Sequence, residues 1–171
     1  SSVKSGFHPS VFLALAAPVS ARVLLSQKQA LALAFPPGTA VERKTAYLSE
    51  EQIRRARELG RVKVDSRVWT YYVGVTSAGA ESYAYFETHN VRTMSETIMT
   101  VVESDGAVRF VEVLAFLEPE DWLPNARWLN QFAGRRHDGA LMVRRGIRNI
   151  TGATLTAQAL TDGVRRILAV H

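Results

Sequence analysis

Thr97-Ile-Met-Thr-Val-Val-Glu103, then Ser104-Asp105-Gly106, then Val108-Arg-Phe-Val-Glu-Val-Leu-Ala-Phe-Leu117: this stretch decides the fold. Two runs rich in β-branched and aromatic residues flank a tripeptide suited to a tight reversal, which predicts a β-hairpin. Upstream, Val68 to Thr76 has the same character, Ser77-Ala78-Gly79-Ala80 reads as a turn, and Tyr83 to Glu87 reads as a further strand. Strands joined by short turns pair antiparallel, because a parallel pair needs a long crossover.

Helical signals bracket this region. Ser26-Gln27-Lys28-Gln29 and Ser49-Glu50-Glu51-Gln52 both match the capping-box pattern. The first leads into a helical stretch from Ala30 to Phe35, stopped by Pro36-Pro37-Gly38. The second leads into a helix through Ile53, Ala56 and Leu59, closed by Gly60. Beyond Pro119, Leu123, Trp128, Leu129 and Phe132 share a helical face until Gly134. Thr156 to Val170 is the clearest amphipathic helix, with Leu160, Val164, Ile167 and Leu168 on one side. The expected fold is α+β, an antiparallel sheet flanked by helices, and the chain of 171 residues suits one domain.

Composition narrows the function classes. There is no cysteine, which removes disulfides, thiolate metal sites and cysteine nucleophiles. His8, His89, His137 and His171 lack ligand spacing, so no metal site is expected. No serine sits in a nucleophile elbow, and Gly-x-Gly-x-x-Gly is absent. The net charge of +5 concentrates in Arg43 to Lys63 and Arg135 to Arg148. Such runs are ordinarily solvated surface, and they also suit a phosphate or an acidic partner. Trp69, Tyr71 and Tyr72 could stack on bases, but they lie inside an apolar run that reads as core, so no nucleic acid is expected. Lys4, the apolar stretch Val11 to Ala17 and Pro18-Val19-Ser20-Ala21 resemble the end of a signal peptide. Residues 1–21 are therefore expected to be a signal-peptide remnant or an N-terminal helix, followed by a helical N-terminal part over residues 22–66.

The chemistry concentrates in Ile150-Thr151-Gly152-Ala153-Thr154-Leu155-Thr156, at the start of the last helix. Gly152 permits backbone torsions that other residues resist, and Ala153 leaves space. Free amides at a helix start and three threonine hydroxyls suit a phosphate; the same pattern also serves as an ordinary helix cap. Glu87-Thr88-His89-Asn90-Val91-Arg92-Thr93 is polar at a strand end, where His89 and Arg92 could approach a ring or phosphate, or simply mark a strand exit. Glu118, Glu120 and Asp121 around Pro119 read as a solvated loop rather than an acid/base pair, and Glu118 is also a candidate cofactor-binding residue. Trp122 and Trp128 are candidate ring walls or core residues.

Thr151-Gly152-Ala153-Thr154, followed by Leu155-Thr156, resembles the Ser/Thr-Gly-Ala-Thr signature of the FMN-binding domain family. That family includes flavin-bearing subunits of sodium-pumping NADH:quinone reductases and Rnf-type oxidoreductases. Trp128-Leu129-Asn130-Gln131-Phe132-Ala133-Gly134 is similar to the family's Trp-x-x-x-Phe-x-Gly segment, and the strand ending at Glu118-Pro119 has its place before it. The resemblance covers roughly residues 67–171. It implies FMN joined to Thr154 through a phosphoester by a flavin transferase. It also implies redox partner proteins, among them a membrane electron-transfer complex, while the signal-peptide-like stretch Val11 to Ala21 gives the expectation of a periplasmic or otherwise extracytoplasmic location. It makes the chain an electron-transfer flavoprotein rather than an enzyme with its own substrate. Arg148 stands where the family carries Asp, six residues before the modified threonine, and could pair with the phosphate of noncovalent FMN. The alternatives are a noncovalent FMN- or phosphate-binding module and a basic partner-binding or nucleic-acid-binding domain without a flavin.

Overall fold

The short turns do set the topology. The computed structural model describes residues 22–171. Strands β2 (Ala40–Tyr47), β3 (Val68–Val75), β4 (Glu81–Val91), β5 (Met94–Glu103) and β6 (Val108–Phe116) lie side by side in chain order. The two-residue β1 (Arg22–Val23) closes the far edge beside β6, making a six-stranded sheet in which every neighbouring pair is antiparallel. The fold class is α+β, as the sequence indicates.

Helices cover both faces. One face carries α4 (Thr154–Val170) with α2 (Glu50–Gly60) beside it, and Leu160, Val164 and Ile167 of α4 join Tyr85, Ile98, Val111 and Val113 of the sheet in the larger core. The other face carries α1 (Gln27–Ala34), whose Ala30 and Ala34 pack with Phe35 on Ala84, Met99, Val101 and Leu114. This explains the near-continuous apolar run of β5, whose residues are buried on both sides over Ile98 to Val102. Both capping boxes form, with Ser26 and Gln29 closing the start of α1 and Ser49 and Gln52 that of α2.

Four sequence expectations need correction. The N-terminal part is not only helical, because Ala40–Tyr47 is a strand paired with β3 along its whole length. Glu42, Arg43 and Lys44 hide its periodicity. As an edge strand exposed on both faces it needs no apolar stripe, and its charges discourage pairing with another chain. The expected strand Tyr83 to Glu87 continues to Val91, so the polar segment is itself strand. Thr88 and Thr97 share a hydroxyl bond at 2.9 Å, and Ser95 donates to Asn90 at 3.1 Å. The expected helix after Pro119 is broken into two 3-10 turns (Glu120–Trp122 and Asn130–Phe132) around a single helical turn, α3 (Ala126–Leu129). Finally, α4 starts at Thr154, two positions before the expected Thr156.

Trp69 is core and Tyr71 stacks on Tyr85 with ring centroids 5.3 Å apart, whereas Tyr72 points to the opposite face against Phe86. The three rings therefore form no common stacking platform. The apolar stretch before Arg22 lies outside the described residues. Among the described residues no helix is long and apolar enough to cross a membrane.

Arg165 fixes where α4 sits. It is 2% exposed, and its hydrogen bonds go to backbone carbonyls. Its Nε and Nη2 donate to the carbonyl of Gly60 at 2.9 and 2.5 Å, and its Nη1 donates to that of Leu141 at 2.8 Å. One side chain thus caps the C-terminus of α2 and holds the loop before the threonine motif. Replacing Arg165 with Met leaves both carbonyls buried without a donor. The expected loss is about 2–4 kcal/mol of unfolding free energy by urea titration. A change below about 0.5 kcal/mol, the size usual for exposed sites, would show that the clamp is dispensable.

Candidate functional site

The N-terminus of α4 opens into a cleft of about 230 Å³ lined by Val91, Arg92, Glu118, Trp122 and Gly152 to Thr156. Three chain segments meet there: the β4–β5 hairpin, the 3-10 turn after β6, and the threonine motif. The sheet brings them together, since β4 ends at Val91 directly beside the start of β5, and β6 delivers Glu118 two residues past its end.

The turn Ile150 to Ala153 owes its shape to Gly152, at φ +78°, with nothing near the position a Cβ would take. The amide of Ala153 donates to the carbonyl of Ile150 at 3.0 Å, and the chain then enters α4. Ala153, not a threonine, is the N-cap, and no side chain caps this helix end. The first-turn amides of Thr154, Leu155 and Thr156 therefore keep the unsatisfied donors of a helix start, at the positive end of its dipole. The Thr154 hydroxyl oxygen accepts from Asn149 Nδ2 at 2.9 Å.

Across the cleft, Arg92 occupies the first loop position of a two-residue hairpin between Val91 and Met94. Its φ of +56° is one that glycine or asparagine usually takes. Its guanidinium carbon lies 5.3 Å from the centroid of the Trp122 ring, a cation–π contact at the mouth. Strain of this kind persists where a side chain is needed in place. Glu118 contributes an oxygen, Oε1, that is buried and, among the described residues, without a partner. A buried orphan acceptor of this sort calls for a donor that the protein does not supply.

Of the residues named from sequence, Arg92, Glu118, Trp122, Gly152, Ala153, Thr154, Leu155 and Thr156 line this cleft. Thr151 sits exposed in the turn next to it. His89 lies elsewhere, beneath the middle of α4, with Nε2 2.7 Å from Glu96 Oε2 and Nδ1 facing Gly163. Glu87 on the same strand pairs with Arg166. Arg148 does not line the cleft. Its side chain is exposed, while its backbone is pinned, N–H donating to Gln131 Oε1 at 2.7 Å and C=O accepting from Trp128 Nε1 at 2.6 Å. Trp128 is consequently core, edge-on to Phe132, and not a cleft wall. Glu120 and Asp121 are exposed. Asn149 and Val91 escaped sequence reading. Neither has a local signal, because both matter through what the fold sets beside them.

A scan against protein-family models and searches of curated proteins and of solved structures found no match to this chain.

Gly152 is the residue most directly exposed to a backbone test. Gly152→Ala introduces no clash but forces a Cβ into a left-handed conformation. The expected cost is about 1–2 kcal/mol in chemical denaturation. An unchanged midpoint would mean that the turn relaxes to another conformation.

Proposed function

We propose that the chain is an extracytoplasmic electron-transfer flavoprotein that carries FMN as a phosphoester on Thr154. The observation that carries this reading is the convergence of three complementary features in one cleft. The uncapped helix start with the Thr154 hydroxyl suits a phosphate. The Arg92 guanidinium on Trp122 adds a cation and an aromatic wall beside it. The orphan Oε1 of Glu118 suits a polyol or ring N–H donor rather than an anion. The resemblance of Thr151 to Thr154 and of Trp128 to Gly134 to the flavin-binding signature points to the same group.

The cleft takes part of the group rather than the whole of it. A cleft of about 230 Å³ is below the roughly 300–1,000 Å³ of pockets that enclose a whole drug-sized ligand. It suits the phosphate and part of the ribityl chain, with the ring outside against Trp122. So shallow a seat favours a covalent tether over noncovalent retention. FMN, when bound, supplies one-electron and two-electron transfer. The amides of Thr154 to Thr156 and Arg92 hold its phosphate, Glu118 orients its hydroxyls, and Trp122 limits solvent on one side. Electron donors and acceptors would be other redox proteins, among them a membrane complex, reached from a partly open site. The signal-peptide-like stretch before Arg22 supports placement outside the cytoplasm.

Coexpression with a flavin transferase followed by denaturing gel fluorescence tests this. The wild-type chain is expected to fluoresce and Thr154→Ala to be dark. Thr154→Ala should remain folded, because it loses one partly exposed hydrogen bond, worth about 0.5–1.5 kcal/mol. Fluorescence persisting in Thr154→Ala places the linkage on another residue. A dark wild-type band rejects the covalent reading.

A further inference from the structure

Asn149 lies outside the Thr151 to Thr154 tetrapeptide, yet its side chain donates to the Thr154 hydroxyl. Its Nδ2 donates to Thr154 Oγ1 at 2.9 Å, and its own Oδ1 is buried without a partner. Among the described residues no other donor to that hydroxyl oxygen is present. The backbone just before it is clamped, with Arg148 N–H held by Gln131 at 2.7 Å and Arg148 C=O by Trp128 at 2.6 Å. The backbone just after it is fixed by the turn closing Ala153 on Ile150 at 3.0 Å. The amide is therefore aimed at Thr154 by the fold rather than by chance of rotamer. A merely structural asparagine would pair its carbonyl too, since buried acceptors seldom stay unpaired without another role.

We propose that Asn149 is a positioning residue for phosphoester formation at Thr154. The inference rests on Thr154 being the attachment residue. The hydrogen bond from Asn149 occupies one acceptor position of Oγ1, and Thr154 lines the cleft. The co-reactant is an FMN phosphate activated as a phosphoanhydride, as in flavin adenine dinucleotide, bound by the transferase. The Thr154 Oγ–P bond forms while the P–O bond to the adenylate breaks. The adenylate leaves with that electron pair, and the hydroxyl proton passes to a base on the transferase. Nothing is oxidised or reduced. Negative charge develops on Oγ1 as the proton departs, and the Asn149 N–H is already aimed at that atom. The hydrogen bond thus matters more at the transition state than in the resting chain.

The test uses purified full chain without flavin, flavin adenine dinucleotide and a purified flavin transferase. Initial rates of covalent labelling are read against chain concentration for wild type, Asn149→Ala, Asn149→Leu and Thr154→Ala. Circular dichroism melts establish that each variant is folded. Asn149→Ala is expected to lower kcat by about 10-fold to 100-fold, the scale of a misplaced reacting group. KM for the chain is expected to stay within about twofold, because the loss is confined to the transition state. Asn149→Leu keeps the volume without the donor. It is expected to behave alike, and it decides the matter if the alanine variant does not fold. Labelling at the wild-type kcat in a folded Asn149 variant overturns the proposal, as does a loss carried entirely by KM. A wild-type chain that takes no label fails at Thr154 itself and removes the inference with it. Label on wild type, with both folded Asn149 variants labelled at the wild-type kcat, removes the inference alone.

Discussion

A buried guanidinium hydrogen-bonded to backbone carbonyls is the constraint on which the arrangement depends. Arg165 sits in the core of α4 and spends its donors on the carbonyls of Gly60 and Leu141. Burial pulls its pKa below the usual arginine value, and the nearby Asp162 carboxylate partly offsets that. One side chain therefore ties α4 to the end of α2 and to the loop that leads into the threonine motif. Without that tie, α4 would still bury Leu160, Val164 and Ile167 against the sheet, but its rotation and depth would be set by packing alone.

The depth matters because polar groups lie under the helix. Glu87, His89 and Glu96 project from β4 and β5 toward α4, where Gly163 stands opposite them. A Cβ there would come within 2.6 Å of Glu87 Oε2 and 3.1 Å of His89 Nδ1. The glycine lets the helix approach closely, and Arg166 of the next turn meets Glu87. The same approach places the start of α4 beside the hairpin tip that carries Arg92. Core packing and cleft geometry are thus two ends of one rigid element.

Much of this was legible in the sequence, and the exceptions have identifiable causes. The strands β3, β5 and β6, the two capping boxes and the last helix follow from apolar spacing and turn chemistry, which act over a few residues. The edge strand Ala40–Tyr47 was hidden because it buries almost nothing and is held by backbone hydrogen bonds that any sequence can make. The segment Glu87 to Val91 looked like a strand exit because Glu87 and His89, which face α4, are polar. Their partners, Glu96 on β5 and Arg166 on α4, are supplied by other elements. The threonine motif was visible as a run of residues, and the fold adds Arg92, Glu118 and Trp122 beside it. It leaves His89 and Arg148 out. Asn149 had no signal at all, since its role is a single side-chain contact five residues along a turn.

An open cleft at the end of a fixed helix is what the proposed tethered flavin, reachable by redox partners, would require. The most direct measurement is peptide mass analysis of the chain purified from cells that contain a flavin transferase. Trypsin releases Asn149 to Arg165, the segment that contains Thr151, Thr154, Thr156 and Thr161. The expected result is an added mass equal to FMN less one water, with fragment ions assigning it to Thr154. The unmodified peptide alone, from a chain that retains no flavin, would contradict the reading.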